Sequence, residues 1–234
     1  MQQAGSYIRR RDEVAVYFDR TALDAWQRFA TNEPLGRIRS TVRAGRDRMR
    51  ATMLSMMPAD LSGWRVLDAG CGAGAMSVEL ARRGADVLGV DLSPGIVSYA
   101  TAHLPRIDGP GRIRLVSGDM LSTEHGQFDA VVAMDSLIHY RPHDAVEALA
   151  TLAARTSRKI VFTFPPRTLG LSAMHAVGRL FPRGDRAPSI EPVSHATLSR
   201  LIAGHGSLKE WRSGETHRIG AGFYISQAME VTRR

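Results

Sequence analysis

The stretch Val66-Leu67-Asp68-Ala69-Gly70-Cys71-Gly72-Ala73-Gly74 constrains this chain more than any other. A short apolar strand runs into three glycines spaced by two, and helical spacing resumes over residues 75–83 until Gly84. Strand, glycine turn and helix in that order form the opening unit of a doubly wound α/β sheet. The downstream texture agrees. Val87 to Val90 reads as a second strand ending at Asp91, and Pro94 stands where a helix would start, the position its fixed φ favours. Ile113 to Val116, Ala130 to Met134 and Ile160 to Phe164 read as further strands, with a helix over 143–155. Alternating strands and helices predict a parallel sheet covered on both faces. Gly222-Phe223-Tyr224-Ile225-Ser226 reads as an antiparallel strand closing the sheet. Upstream, residues 7–30 carry Val14, Tyr17, Phe18, Leu23, Trp26 and Phe29 at helical spacing. Residues 37–57 form a second helical stripe of Ile38, Val42, Met49, Met53, Leu54 and Met57. Pro58 and Gly63 then break the pattern.

The turn also constrains the ligand. Glycines let the backbone bend sharply and approach a ligand closely. Asp91, at the end of the second strand, is placed to accept hydrogen bonds from both hydroxyls of a ribose. A dinucleotide site would want Gly-x-Gly-x-x-Gly, with a helix N-terminus facing a pyrophosphate. Here Asp68 beside the turn would repel a pyrophosphate, whereas it suits an amino group. S-adenosylmethionine has an amino group and a ribose but no phosphate.

The pattern resembles the first motif of class I methyltransferases. That implies a Rossmann-like seven-stranded, mostly parallel sheet with helices on both faces. In that family Gly118-Asp119-Met120 would set an acid near the adenine amino group and an apolar residue against the ring. Phe128 to Asp135 would form the fourth strand and approach the methionine end. The expected cofactor residues are Asp68, Gly70, Cys71, Gly72, Asp91, Leu92, Ile96, Asp119, Met120, Met134, Asp135 and Ser136, and the product is S-adenosylhomocysteine. Cys71 is expected as a small packing residue in the turn. As the single cysteine it has no disulfide partner, which fits a reducing cytosol. No signal peptide and no membrane-spanning run is read.

Charge is uneven along the chain. Residues 1–57 hold 11 Arg against 6 acidic residues, and residues 165–234 hold 10 Arg or Lys against 5. The middle, 58–164, holds 10 basic and 12 acidic residues. Basic flanks of this kind favour an anionic partner, or are simply solvated faces. Nucleic acid is disfavoured. Asp135-Ser136-Leu137-Ile138-His139-Tyr140 lacks the Pro-Pro-aromatic element of amino methyltransferases, and the flanks lack interleaved aromatics.

A narrower resemblance covers the chain from Val14 to Ser226. It is carried by Tyr17-Phe18-Asp19-Arg20-Thr21-Ala22, Trp26, Thr41 to Arg46, Met134 to Tyr140, Val161 to Pro166, Leu180 to Arg183 and Gly222 to Ser226. These segments resemble the magnesium protoporphyrin IX methyltransferases of bacteriochlorophyll and chlorophyll synthesis. The resemblance implies methylation of one propionate, giving the 13-monomethyl ester. It points to Tyr17 and His139 as catalytic residues. Phe18, Arg43, Tyr140 and His175 are the expected substrate contacts, with Arg37, Arg39 and Arg46 as further candidates for the second propionate. Residues 1–57 are expected to form a helical lid. Residues 58–234 are expected to form the core, with a substrate-covering insertion around 166–190 whose Leu169 to Phe181 supplies an apolar slot or simply a covering helix. The magnesium belongs to the substrate, and no protein-bound metal is expected. The resemblance also implies docking on a magnesium chelatase subunit or on an anionic photosynthetic membrane. Two other readings remain open at this point: a different small-molecule O- or C-methyltransferase, for instance one acting on quinones, and a non-catalytic scaffold that delivers porphyrin.

Overall fold

In the computed structural model the described residues are 2–20, 37–167 and 189–234, with side chains described over 6–17, 40–167 and 189–234. The order is α1 (Gln2–Arg20), α2 (Arg37–Ser55), β1 (Arg65–Ala69), α3 (Ala75–Arg82), β2 (Asp86–Asp91), α4 (Pro94–Ala102), β3 (Arg112–Ser117), β4 (Phe128–Ala133), α5 (Pro142–Ala153), β5 (Thr156–Phe164), α6 (His195–Gly204), β6 (Trp211–Ala221) and β7 (Tyr224–Arg233). The strands form one seven-stranded sheet in the order β3-β2-β1-β4-β5-β7-β6. β1 to β5 are parallel, while β7 runs antiparallel to β5 and to β6.

Consecutive residues of the central strands are buried on opposite faces, as a pleated strand covered on both sides requires. Leu67, Val131, Ala133, Ile160, Phe162 and Met229 join the core under α5 and α6. Val66, Ala130, Val132, Val161 and Ala228 join a second core under α2 and α3. Met49 and Met53 of α2 are completely buried there, so α2 is part of the core. Packing therefore does not divide the chain at residue 57. The methionine stripe of α2 packs with the sheet residues Val66, Ala130 and Val161 and with Met76 and Leu80 of α3, which makes α2 a covering helix of the core.

The order of the strands reverses between β1 and β4. Side by side, these two strands send their outgoing loops to opposite sides and open a crevice at their carboxyl ends. Ser93 caps α4 by accepting from the Ile96 N–H at 3.2 Å, with Pro94 in the first turn.

Three expectations need correcting. Gly222 and Phe223 form the two-residue turn of a β6–β7 hairpin, since Ala221 pairs with Tyr224. The apolar texture there belongs to the start of β7 rather than to a strand beginning at Gly222. β5 begins at Thr156 rather than Ile160, through the polar residues Ser157, Arg158 and Lys159. The helix expected over 7–30 is described from Gln2 to Arg20, and residues 21–36 lie outside the described residues. Trp26, the 168–188 part of the insertion, its slot and His175 lie outside them too, as do the side chains of Phe18, Arg37 and Arg39.

Candidate active site

A solvent-open cavity, about 680 Å³ with the open solvent at its mouth included, occupies the crevice at the carboxyl ends of β1, β2, β3 and β4. Gly70, Gly72, Asp91, Leu92, Ile96, Asp119, Met120, Met134, Asp135, Ser136, His139 and Tyr140 all line it. They come from four separate loops, and the sheet brings them together.

The glycine turn is shaped by contact. Gly70 has φ 83°, and a Cβ there would lie 2.4 Å from the Ser136 Cβ. Only glycine lets the loop after β1 pass this close to the loop after β4. The turn is tied to β2 by Gly70 N–H and Cys71 N–H, which donate to the Val90 carbonyl at 2.8 and 3.0 Å. Gly72 N–H donates to Asp91 Oδ2 at 2.9 Å, and Ser93 N–H to Asp91 Oδ1 at 3.1 Å. Each Asp91 oxygen keeps a further lone pair for a ligand hydroxyl. Burial raises the Asp91 carboxyl above its usual value, opposed by these N–H groups.

Asp68 is placed differently from expectation. It is 1% exposed, does not line the cavity, and accepts a 2.6 Å hydrogen bond from Ser77 Oγ. Burial pushes its carboxyl up to about 6. It braces the turn from beneath, and the side chain at the end of β1 points into the core instead of towards an amino group. Cys71 is likewise buried behind the wall, and burial raises its thiol well above the usual value.

Asp135 is the centre of a polar network after β4. Its φ is 55°, and it is the one non-glycine residue with positive φ among the described residues. That conformation costs about 1–2 kcal/mol for an L-residue. The network holds it there. The Asp135 N–H donates to Thr163 Oγ1 at 2.8 Å. Its carboxylate accepts from Tyr224 Oη at 3.1 Å and Thr163 Oγ1 at 3.2 Å, and pairs with Arg46 at 3.2 Å. Burial, then the Asp135 charge, raises the Tyr224 hydroxyl far above its usual value. Beside this network Ser136 Oγ is buried without a hydrogen-bond partner. An orphaned hydroxyl on a cavity wall, next to backbone glycines and acids, fits the polar end of S-adenosylmethionine.

In the loop after β3 Asp119 accepts from Leu121 N–H, from Tyr7 Oη at 3.0 Å and from Arg11 at 3.0 Å. Arg155, 5% exposed, donates to the Met120 and Ser122 carbonyls and fixes that loop. Tyr7 stacks on Tyr140 with ring centroids 4.8 Å apart. Tyr7 and Val14 line the cavity from α1, so α1 forms one wall. Tyr17 is half-buried one turn beyond Val14, off the cavity wall, and Arg43 is also off the wall. Tyr17 and His139 therefore do not share the wall. His139, 7% exposed, sits in a 3-10 turn (Leu137–His139) with Nδ1 3.4 Å from the Ser189 carbonyl. The sequence reading missed Tyr7, Arg10, Arg11 and Arg155. Only the helical stripe shared by Tyr7 and Val14 hinted at any of them. Among the described residues no group of three His, Cys, Asp or Glu is arranged to hold a metal. No described helix is long and apolar enough to cross a membrane.

Comparison with known proteins adds the family context. Residues 133–233 match the family model described as magnesium-protoporphyrin IX methyltransferase C-terminus, and residues 66–159 match a general methyltransferase domain. The chain is 48% identical over 225 residues to the magnesium-protoporphyrin O-methyltransferase of Rhodobacter capsulatus, covering 96% of this chain and 97% of that protein. A crystal structure of magnesium protoporphyrin IX methyltransferase from Synechocystis with bound SAH superposes with TM-score 0.80 at 27% identity, covering 95% of this chain and 99% of the other. A ubiquinone biosynthesis O-methyltransferase of Xanthomonas oryzae is 35% identical, but over 53% of this chain and 55% of its own length.

Proposed function

This chain belongs to the magnesium protoporphyrin IX O-methyltransferase family, and from that premise we infer that its cavity methylates a propionate carboxylate of magnesium protoporphyrin IX with S-adenosylmethionine. The carboxylates are the only oxygens that protoporphyrin offers, so O-methylation gives an ester. One observation carries the reading: a single cavity unites the glycine turn and its acids with the His139–Tyr140 turn, in a chain that matches such an enzyme nearly end to end. The quinone reading has a weaker basis, because that likeness spans about half of each chain.

S-adenosylmethionine, when bound, supplies an electrophilic methyl group on a sulfonium. We assign Asp91 to the ribose, Asp119 and Met120 to the adenine, and Gly70, Gly72, Asp135 and Ser136 to the methionine end. A carboxylate is already ionised near neutral pH, so the chain needs to align it and strip its water rather than supply a strong base. Tyr7, Val14, Met120, Met134 and Tyr140 make the wall largely apolar and exclude water. His139 meets the propionate from the loop after β4. Tyr17 would join it once porphyrin fills the inner stripe of α1 beyond Val14. The basic flanks are offered to an anionic partner, either a magnesium chelatase subunit or an anionic photosynthetic membrane. Their charge asymmetry supports this, and binding to anionic vesicles that weakens with salt would test it.

The test of the chemistry is a double-variant cycle. Tyr17→Phe and His139→Ala should each keep S-adenosylmethionine affinity and lose on the order of 10- to 100-fold in single-turnover rate. The losses should not add, because both groups hold one carboxylate. Wild-type rates in either variant would remove that residue from the mechanism.

A further inference from the structure

Three parts of the chain far apart in sequence meet at one guanidinium. Arg10, in the middle of α1, donates from Nε to the His139 carbonyl at 2.8 Å. Its Nη2 donates to the Ser189 carbonyl at 3.0 Å and to Ser189 Oγ. Its Nη1 pairs with Glu13 at 2.9 Å, and Nη2 lies 3.6 Å from Glu191. The planar fork of arginine thus bridges two backbone carbonyls from different segments through two nitrogens in a fixed relative geometry, which the single nitrogen of a flexible lysine would not reproduce. Those two segments also bind each other. Glu191 N–H donates to the Ile138 carbonyl at 2.9 Å, and the Ser189 carbonyl faces His139 Nδ1 at 3.4 Å.

A carbonyl oxygen accepts and never donates, so a hydrogen bond at this contact requires the proton on Nδ1. In the neutral imidazole Nε2 is then the acceptor nitrogen. An isolated histidine in water favours the opposite tautomer, so the arrangement has to be imposed by the surroundings. Arg10 bonds to both the Ser189 carbonyl and the His139 carbonyl, and with the Glu191–Ile138 backbone bond it holds the two in a fixed relation. We propose that Arg10 is a positioning residue that sets the orientation and tautomer of His139, so that docking of α1 and readiness of the histidine are one event. This rests on the reading above that His139 meets the propionate. Arg10 itself is not part of the cavity wall, so it acts through His139. The glutamates flanking the fork keep the guanidinium in place without competing for the two carbonyls.

The test combines kinetics with a direct view of the ring in the full-length protein. Nitrogen-15 spectra of wild type at a pH where the ring is neutral, assigned by difference with His139→Gln, should show His139 protonated at Nδ1. Arg10→Ala should move it towards the Nε2–H form. The same variant should lose on the order of 10- to 100-fold in kcat for methyl transfer, while S-adenosylmethionine affinity stays within about twofold of wild type. Arg10→Lys should recover part of the rate, as one of the two carbonyl bonds can re-form. An Nε2–H ring in wild type overturns the proposal even if Arg10→Ala does not fold. A wild-type rate with an unchanged tautomer in Arg10→Ala overturns it as well. Full turnover by His139→Gln would instead sink the assignment of His139 to the propionate, leaving the tautomer measurement to judge the role of Arg10 in placing the ring.

Discussion

Asp68 and Asp91 are both acids at strand ends, yet their surroundings give them opposite work. Asp91 faces the cavity with lone pairs to spare, so Asp91→Ala should weaken S-adenosylmethionine binding by roughly 1–3 kcal/mol. Calorimetry on the folded variant reads this directly, and unchanged affinity would reject the ribose assignment. Asp68 is sealed beneath the turn with Ser77 as its hydrogen-bond partner. Its carboxyl is raised from 3.8 to about 6 by burial. Between those values the folded chain holds a proton that the unfolded chain has lost. Stability contributed at this site therefore falls as pH rises through the window and stays low above it, by roughly 3 kcal/mol at most. Asp68→Asn keeps an acceptor for Ser77 and removes the titration. Urea unfolding below and above the window should show wild type losing stability that the variant keeps. Equal pH slopes would mean that folding does not raise the Asp68 carboxyl. The glycine turn, Asp91 and Asp119 were legible because each signal is local: a strand end, a turn and a residue type. The inward turn of Asp68 was not, since it depends on Ser77 of the next helix. Tyr7 and Arg10 were hidden for the same reason, with partners at Asp119 and His139 that only the closed sheet brings near.

The two N-terminal helices dock by different physics. α2 lays Met49, Met53 and Leu54 into the core. It also approaches the β6–β7 hairpin so closely at Gly45 that a Cβ would lie 2.6–2.8 Å from the Tyr224 ring and Cβ. Alanine in a helix interior is worth about 1 kcal/mol over glycine, which favours Gly45→Ala. Overpacking against the base of a held side chain costs about 1–3 kcal/mol. Tyr224 is not free to swing aside, because its hydroxyl is bonded to Asp135. The clash should win, so Gly45→Ala is expected to lower the melting temperature and weaken S-adenosylmethionine binding through Asp135. A stabilised variant with intact binding would show that the helix can back away. By contrast the described side chains of α1 dock mainly through polar groups: Ser6 to Asp144 at 2.6 Å, Tyr7 and Arg11 to Asp119, and Arg10 to the His139 carbonyl. The sequence revealed both helices through their apolar spacing, but not this difference. It also hid β6, whose alternation of exposed and half-buried residues leaves no apolar run to read. Polar Ser157 to Lys159 likewise concealed the first half of β5, and α6 passed unread between the insertion and the hairpin.

At the scale of the whole molecule, these docking modes separate stability from catalysis. Both cores are built from the sheet and from α2, α3, α5 and α6. Among its described side chains, α1 supplies the apolar cores with little beyond Tyr7 at the edge of one of them, besides the buried Val14. Its ion pairs are partly solvent-exposed: the Arg11 and Asp119 side chains are 29% and 24% exposed, so water and salt screen them. A helix held by such contacts opens at low free-energy cost, the behaviour expected of an active-site lid. Deleting residues 1–35 should therefore leave a cooperatively folding domain with α2 still seated. The same deletion removes Tyr7 and Val14 from the cavity wall, Tyr17 from its approach, and Arg10 from the His139 turn. Water would enter a site whose chemistry depends on stripping a carboxylate of it. Turnover should fall by at least tenfold more than either single variant of Tyr17 or His139, since wall, guide and clamp are lost together. Calorimetric unfolding and single-turnover methyl transfer on the truncated chain decide the matter. A sharp unfolding transition with turnover nearly abolished supports the lid. Full turnover in the truncated chain would show that α1 is only a surface attachment, and loss of the unfolding transition would show that its polar contacts carry the fold itself.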